Sequence, residues 1–299
     1  MLSKKIIVVF GATGAQGSGV AHAILNDPNS EFAVRAVTRK PDSDKAKALA
    51  KMGAEIVAAD IDDQQSVERA LKGAYGAYFV TFYWSHFSPE KEYEEARGMA
   101  KAAKDAGLKH VIWSTLEDTR KYIPLDDDRM PTLQGKYKNP HFDAKGAANQ
   151  FFIDLKVPVT FLMASAYWDN LITSGPRKGA DGKLYLTLPI DDKKVAGIAS
   201  EDIGKCAYGI FKKGKELIGR TIGVAGEHLT GKEMAEALSK ALGKEVLFNN
   251  VTPEVFRGLG FPGAEDLGNM FQFYRDFEKE CNSARDVNFS RELNPELKS

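Results

Sequence analysis

The sequence predicts an α/β protein with a Rossmann-type, doubly wound parallel sheet and a smaller, mostly helical C-terminal lobe. Short apolar runs alternate with helical patterns through the first half of the 299-residue chain. A glycine-rich turn directly follows the first of these runs, and helical patterns dominate after residue 166. Repeated alternation of strand and helix indicates right-handed βαβ units, and such units build a parallel sheet.

Six runs rich in Val, Ile and Phe have the length and composition of buried strands. They cover residues 6–10, 33–37, 56–59, 77–81, 110–114 and 159–163. Helical patterns lie between them at residues 15–26, 43–52, 64–72, 89–106 and 141–156. Ser88-Pro89-Glu90 and Asn139-Pro140 have the capping side chain and the proline that are typical of helix starts.

The predicted dinucleotide-binding Rossmann domain covers residues 1–164, with a further strand at 221–225 to complete its sheet. Residues 165–299 form the smaller lobe, with helices predicted at 201–213, 230–242, 252–259 and 262–278. The segment 116–139 has no clean periodicity and contains two prolines and an acidic run. A loop of this length is typical of a lid or a binding loop, and a mobile surface excursion is the alternative.

Composition narrows the class of protein. The chain has 43% hydrophobic and 27% charged residues, as is usual for a globular protein, and its 41 basic residues balance 41 acidic ones. Without a positive excess, direct binding to nucleic acid or to an anionic membrane is not expected. Cys206 and Cys281 form no CxxC pair, which favours a reducing compartment. With no signal-peptide core and no membrane span, we expect a cytoplasmic protein, with the nucleus as a second compartment.

The stretch VVFGATGAQG, residues 8–17, places three glycines between a predicted strand and a predicted helix. In that context Gly11 permits a tight turn, Gly14 lets a pyrophosphate approach the backbone, and Gly17 lets the helix pack closely on the strand. The helix N-terminus offers free N–H groups and a partial positive charge to phosphates. A turn that uses glycine for packing only is the alternative. The stretch therefore predicts a dinucleotide cofactor.

The end of the second strand indicates which dinucleotide binds. An acid there would accept hydrogen bonds from the adenosine ribose and repel a 2′-phosphate. The chain has Thr38, Arg39 and Lys40 instead, and a guanidinium can bind a phosphate through two N–H groups, which favours NADP(H). A solvated basic corner is the alternative. After the third strand, Asp60 is placed to accept from the adenine amino group, with Ile61 against the ring, although helix capping competes for the acids there.

The sequence names no secure catalytic residue. Short-chain dehydrogenases have a Tyr and, four positions later, a Lys that lowers the pKa of the Tyr. Here Lys145 has the Lys position, but His141 has the Tyr position, and the start of a helix disfavours a charged imidazole. Lys145 fits better as a ligand of the nicotinamide ribose. Tyr167 is a weak candidate proton donor with a pocket wall as the alternative, and Ser114 and Thr115 are equal candidates for the serine position.

No metal site is predicted. The histidines and cysteines outside these motifs have no spacing typical of metal ligands. They include His22, His86, His228 and Cys206.

Five stretches together resemble the NmrA-like family of atypical short-chain dehydrogenases, and in particular its NADPH redox-sensor subgroup. They are VVFGATGAQG, VTRKP, HFDAKG, YWDNL and LGFPGAEDLGNMFQFY. The likeness runs over nearly the whole chain, and the last block, residues 259–274, is far more specific than the glycine turn. The resemblance implies an NADP(H)-binding regulator that lacks the Tyr of the Tyr-Lys pair and changes conformation, association or partner with the cofactor. Its partner would be another protein or a second copy of the chain.

The resemblance also implies the cofactor contacts. The phosphate loop would comprise Gly11, Thr13, Gly14, Ala15, Gln16 and Gly17. Arg39 would bind the 2′-phosphate, Asp60 and Ile61 the adenine, and Thr81, Phe82 and Tyr83 would lie beside the ribose. The nicotinamide would be faced by Lys145, Tyr167, Trp168, Asp169 and Asn170.

Two features depart from the subgroup, since Glu94 stands where a basic residue is usual and the 116–139 loop is longer. An NADPH-dependent reductase of a small carbonyl or quinone is the alternative function. A pure interaction scaffold with a vestigial pocket is a third.

Overall fold

A computed structural model describes residues 4–298 of the chain. Its first half alternates strands and helices as the sequence predicts. The strands are β1 (Lys5–Val9), β2 (Phe32–Thr38), β3 (Glu55–Ala58), β4 (Gly76–Phe79), β5 (His110–Thr115) and β6 (Val159–Met163). The helices are α1 (Ala15–Asn26), α2 (Asp44–Lys51), α3 (Gln64–Leu71), α4 (Pro89–Asp105) and α5 (Pro140–Asp154).

The second half contains short strands as well as helices. The strands are β7 (Ala166–Tyr167), β8 (Arg177–Lys178), β9 (Leu184–Leu188), β10 (Val195–Ile198), β11 (Thr221–Gly223), β12 (Glu227–Leu229) and β13 (Val246–Asn250). The helices are α6 (Asn170–Thr173), α7 (Ser200–Lys213), α8 (Gly231–Leu242), α9 (Pro253–Arg257), α10 (Ala264–Asp276), α11 (Glu278–Ser283) and α12 (Val287–Leu293). Among these described helices, none has both the length and the apolar character needed to cross a membrane.

Seven strands form one parallel sheet in the order β11-β6-β5-β4-β1-β2-β3, which confirms the predicted fold class. The strand order reverses between β1 and β4, and in open sheets of this type ligands bind beyond the carboxyl ends of the strands at that point. Strand β11 pairs with β6, so the edge of the sheet comes from the second half of the chain.

Both faces of the large sheet are covered. On one face α1 packs against α7, and the two helices cross at Gly19 and Gly204, where a Cβ on Gly204 would lie 2.2 Å from the Gly19 carbonyl carbon. The other face is covered by apolar side chains that include Val67 of α3, Met99 of α4 and Phe152 of α5. Helix α7 thus belongs to the layer around the large sheet although it lies far along the chain.

The C-terminal region has a core of its own, which the sequence describes only in part. Two three-stranded sheets, β12-β10-β7 and β13-β9-β8, pack with α8 and α10 around a separate apolar cluster. The sequence predicts α8, α9 and α10 of this region, but not α6, α11, α12 or these sheets. Strands β7, β8 and β12 have two or three residues, too short for a periodic pattern to develop, and the polar residues Asn249 and Asn250 interrupt the apolar run of β13.

Candidate functional site

The glycine turn has the geometry that a phosphate-binding loop requires. Gly11 has a φ of +63°, and its carbonyl oxygen accepts a hydrogen bond from the Gly14 N–H at 2.8 Å. A Cβ on Gly17 would lie 2.3 Å from the Gly11 oxygen, so no larger residue fits there. Gly14 precedes α1 and provides no capping side chain. The first N–H groups of the helix are therefore directed at the space beyond the loop.

Two cations are candidates for binding the phosphates of a dinucleotide. Arg39 is exposed at the end of β2, as the sequence predicts. The Lys45 Nζ of α2 donates to the Thr13 carbonyl at 3.3 Å, which places a positive charge at the phosphate loop. The sequence analysis did not name Lys45, because only contact between α2 and the loop identifies it.

Asp60 is not the cap of the helix that follows it. The Asp63 carboxylate caps α3 by accepting from the N–H groups of Gln65 and Ser66. Among residues 4–298, the Asp60 carboxylate accepts a hydrogen bond only from the N–H of Asp62, at 3.2 Å, so part of this carboxylate remains open beside Ile61. This arrangement leaves Asp60 and Ile61 available for a ligand at the carboxyl edge of the sheet.

Gln16 is the centre of a hydrogen-bonded group at the strand ends. Its amide Nε2 donates to the Tyr167 hydroxyl, and its Oε1 accepts from the hydroxyls of Tyr78 and Ser114, the latter at 2.8 Å. Burial raises the pKa of Tyr167 to about 12, so this phenol is neutral at ordinary pH. Thr115 is directed elsewhere, to the Lys145 carbonyl at 3.1 Å, and Ser114 is thus the strand-end hydroxyl that faces this group.

The rest of the predicted nicotinamide-facing run has contacts within the fold. The Trp168 ring covers Gly197, where a Cβ would lie 2.1 Å from the indole. The Asp169 carboxylate accepts from the Ser200 N–H at 2.7 Å, at the start of α7. Asn170 is exposed at the start of α6. Of these four residues, Tyr167 is the one that reaches Gln16.

Lys145 lies in a buried ion pair that the sequence analysis missed. Its Nζ contacts Glu92 Oε1 and donates to both the hydroxyl and the carbonyl oxygen of Thr81. Glu92 is fully buried on α4, and the Thr81 hydroxyl also donates to it. An acid on the inner face of an otherwise alanine-rich helix is the signal that could have identified Glu92.

Beyond Glu92 the structure brings together two further titratable groups. His86 Nε2 lies 3.7 Å from Glu92 Oε2 and 3.8 Å from Glu95 Oε1. Burial, together with the negative charge of Glu92, raises the pKa of Glu95 to about 7. Burial also lowers the pKa of His86. The spacing of histidines along the sequence gave no indication of this cluster.

His141 is paired with an acid from the C-terminal region. Its Nδ1 lies 2.8 Å from Asp266 Oδ1, and its backbone N–H donates to Asp266 Oδ2 at 3.3 Å. The imidazole packs against Tyr83 and Trp84, and Tyr83 itself is buried while Phe82 is 63% exposed. The two partners are 125 residues apart, so no local pattern could have joined them.

A cavity of about 460 Å³ lies beside this pair, between the loop after β4, the 116–139 segment and the C-terminal region. Aromatic side chains and one arginine line much of it. The lining residues include Tyr83, Phe87, Arg257, Phe261 and Asp266.

Hydrogen bonds join the 116–139 segment to α10. Asn269 Nδ2 donates to the Pro131 carbonyl at 3.0 Å, and Gln272 Nε2 donates to the Arg129 carbonyl at 2.7 Å. The buried Lys138 Nζ donates to the Asp127 and Met130 carbonyls, each at 2.7 Å. These contacts hold the segment against α10, and its residues Leu133 and Gln134 line the cavity.

Solved structures with this fold include a regulator and enzymes. The chain matches NmrA, described as a negative transcriptional regulator, with a TM-score of 0.80, 21% identity and coverage of 99% of this chain and 93% of that one. It matches triphenylmethane reductase from Citrobacter sp., complexed with NADP(H), with a TM-score of 0.75, 19% identity and coverage of 99% and 96%. At these identities the likeness concerns the fold.

Sequence comparison extends over the whole chain. A relative from Dictyostelium discoideum, an NmrA-like family domain-containing protein, is 29% identical over 84% of this chain and 82% of its own length. The NmrA-like family domain-containing oxidoreductase FrzB from Cladobotryum sp. is 29% identical over 90% and 83%. The model of the NmrA-like family matches residues 3–296. The chain therefore belongs to the NmrA-like family.

Proposed function

We propose that this protein binds NADP(H) across the carboxyl edge of its large sheet and works as a regulator that responds to the cofactor. The main support is the glycine turn, which leaves the first N–H groups of α1 open to a phosphate. Lys45 contacts this turn, and the end of β2 has Arg39 where an NAD-binding chain would have an acid. Two such cations suit a cofactor with an additional phosphate. NmrA itself has been solved with NAD and with NADP.

A regulatory role is favoured by the groups around Lys145. The usual Tyr is absent, and the ammonium of Lys145 is already paired with Glu92 and Thr81. A cofactor can shift the conformation or the association of the protein only if it binds the two states with different affinity. The two states would differ in the position of the C-terminal region, or in the binding of a second copy or of another protein.

Calorimetric titration with NADPH, NADP⁺, NADH and NAD⁺ tests cofactor binding. We expect the phosphorylated forms to bind at least about tenfold more tightly, since a guanidinium bound to a phosphate contributes about 1.5–3 kcal/mol. Arg39→Ala should lose most of this preference, whereas Arg69→Ala, an exposed arginine on α3, should retain it. An Arg39→Ala variant that discriminates as well as the parent would refute the proposed phosphate site.

The regulatory part has its own test. Hydrogen exchange and light scattering, each with saturating NADPH or NADP⁺, should detect a change in protection or in mass. If both cofactors bind and neither measurement changes, the protein is not a regulator of this kind.

An NADPH-dependent oxidoreductase is the second candidate, and the His141–Asp266 pair favours it. An imidazole whose Nδ1–H is held by a carboxylate keeps Nε2 available to exchange a proton with a substrate. For a small carbonyl or quinone in the adjoining cavity, bound NADPH would supply the hydride, and His141 would supply a proton that its Nε2 has first taken up from solvent. Several curated relatives are described as oxidoreductases.

NADPH oxidation with a panel of quinones and aldehydes tests this candidate. We expect turnover that falls about 10²-fold or more in His141→Phe and that falls also in Asp266→Asn, with cofactor affinity unchanged in both variants. Turnover that survives His141→Phe would assign the proton to another group. The absence of turnover with every acceptor would leave the regulatory proposal as the function.

A further inference from the structure

The cluster of His86, Glu92 and Glu95 brings two buried carboxylates together with a half-buried imidazole. It lies between the 3-10 turn that precedes α4 and the first turns of that helix. Glu92 and Glu95 are 0% and 5% exposed. Two carboxylates and an imidazole share an enclosed space, so their charges depend strongly on one another.

Three polar side-chain atoms of the cluster are buried without a hydrogen bond. In the part of the chain that the structure describes, His86 Nε2, Glu92 Oε2 and Glu95 Oε2 are enclosed and have no hydrogen-bond partner. Buried polar atoms normally have partners, and a site that lacks them is suited to accept a proton or a small ligand. An added proton on one of these carboxylates would remove one of the two negative charges that the cluster encloses.

The orientation of His86 favours a proton over a metal ion. The Ser88 N–H donates to His86 Nδ1 at 3.0 Å, so the neutral ring has its hydrogen on Nε2. A metal ion would need the lone pair of Nε2, which that hydrogen occupies. The Nε2 atom instead lies 3.7 Å from Glu92 Oε2 and 3.8 Å from Glu95 Oε1.

One carboxylate of the cluster connects it to the cofactor site. Glu92 faces His86 through Oε2 and contacts Lys145 through Oε1. Lys145 also binds the Thr81 hydroxyl at the end of β4. A change of charge near Lys145 therefore acts on Glu92 directly and on Glu95 through Glu92.

We propose that His86, Glu92 and Glu95 form a proton-binding site that is coupled through Lys145 to the redox state of the bound cofactor. The proposal rests on the proposed NADP(H) site. The nicotinamide ring is positively charged in NADP⁺ and neutral in NADPH, and a positive charge favours ionised carboxylates. The cluster therefore releases a proton when NADP⁺ binds and retains it when NADPH binds.

The other charges around the cluster come from three elements and are the same in both redox states. Lys91 is the neighbour on α4, Asp62 lies in the loop after β3, and Lys145 approaches from α5. Lys91 contacts Asp62, so these two charges compensate each other. The redox-dependent charge is that of the nicotinamide.

The test measures the dissociation constants of NADPH and NADP⁺ between pH 6 and pH 8.5. Titration of the 2′-phosphate affects both cofactors alike and cancels in their ratio. In the wild type we expect the affinity for NADP⁺ relative to NADPH to increase about fivefold over this range. In Glu95→Gln the ratio should be independent of pH, whereas Glu94→Gln, an exposed acid on the same helix, should behave as the wild type.

Calorimetry in buffers of different ionisation enthalpy counts the protons directly. We expect proton release with NADP⁺ that is absent in Glu95→Gln and reduced in His86→Gln. If both cofactors bind with a ratio that does not change with pH, or if Glu95→Gln leaves the pH dependence intact, the coupled proton site is wrong. If neither cofactor binds, the proposed function fails and this inference with it.

Discussion

The guanidinium of Arg285 forms a two-point ion pair with the carboxylate of Glu117 in the interior of the protein, with N–O distances of 2.5 and 2.9 Å. Arg285 is fully buried and also donates to the carbonyls of Ala164 and Cys281. Glu117 lies just after β5 and Ala164 just after β6. The pair thus ties the segment between α11 and α12 to the strand ends that border the candidate site.

Arg285→Met should destabilise the protein strongly. The variant leaves the Glu117 carboxylate buried without its partner, and such changes cost about 3–5 kcal/mol. Urea denaturation measures the free energy of unfolding. Lys101→Met, which removes a solvent-exposed ion pair with Asp105, is the control and should change little. Equal, small losses in both variants would contradict the structural role of Arg285.

Gly204→Ala should separate α1 from α7. The new Cβ would lie 2.2 Å from the backbone of Gly19. Backbone atoms cannot move aside as a flexible side chain could, so the two helices would have to move apart. We expect a loss of about 1–3 kcal/mol in the free energy of unfolding, as is usual for overpacking. Gly98→Ala in α4 is the control, since its Cβ would meet only the end of the flexible Gln64 side chain. That variant should be neutral or more stable, because alanine favours a helix.

The sequence predicts the large sheet well because most of its strands can be recognised from a local sequence pattern. Buried parallel strands are continuous apolar runs, and the caps Ser88 and Asn139 mark helix starts that the structure confirms. The glycine turn could be located for the same reason, since its three glycines lie within seven residues.

The partners in the candidate site could not be predicted in this way. Glu92 and Lys145 are 53 residues apart, and Asp266 and His141 are 125 apart, so only the tertiary fold brings each pair together. The sheets β12-β10-β7 and β13-β9-β8 were missed for a related reason, because pairing between distant segments stabilises strands that are very short or lack a continuous apolar run.

Lys45→Ala should weaken the binding of NADPH. The Lys45 Nζ lies at the phosphate loop, where it contacts the Thr13 carbonyl, and its charge adds to that of Arg39. We expect a loss of about threefold to tenfold in affinity, the range for one partly solvated charge contact. Lys47→Ala, an exposed lysine on the same helix, is the matched control. Calorimetry at low and high salt checks the origin of the effect, since the difference between the variants should shrink as salt increases.

His110 should make the stability of the protein depend on pH. Its ring is buried in β5, Nε2 lies 2.9 Å from the Thr160 hydroxyl, and burial lowers the pKa of His110 to about 4. Between that value and the pKa of about 6.5 in the unfolded chain, the unfolded state binds a proton that the folded state does not. The contribution of His110 to stability is therefore complete above pH 7 and decreases as the pH falls, by about 2 kcal/mol at pH 5.

The difference between the wild type and His110→Gln isolates this effect from other titrating groups. We expect His110→Gln to lose less stability than the wild type when the pH falls from 7.5 to 5, as measured by urea denaturation at both pH values. His22→Gln, which changes an exposed histidine of α1, should follow the wild type. If His110→Gln and the wild type lose stability in parallel, His110 is protonated in the folded protein, and the burial of its ring does not hold it neutral.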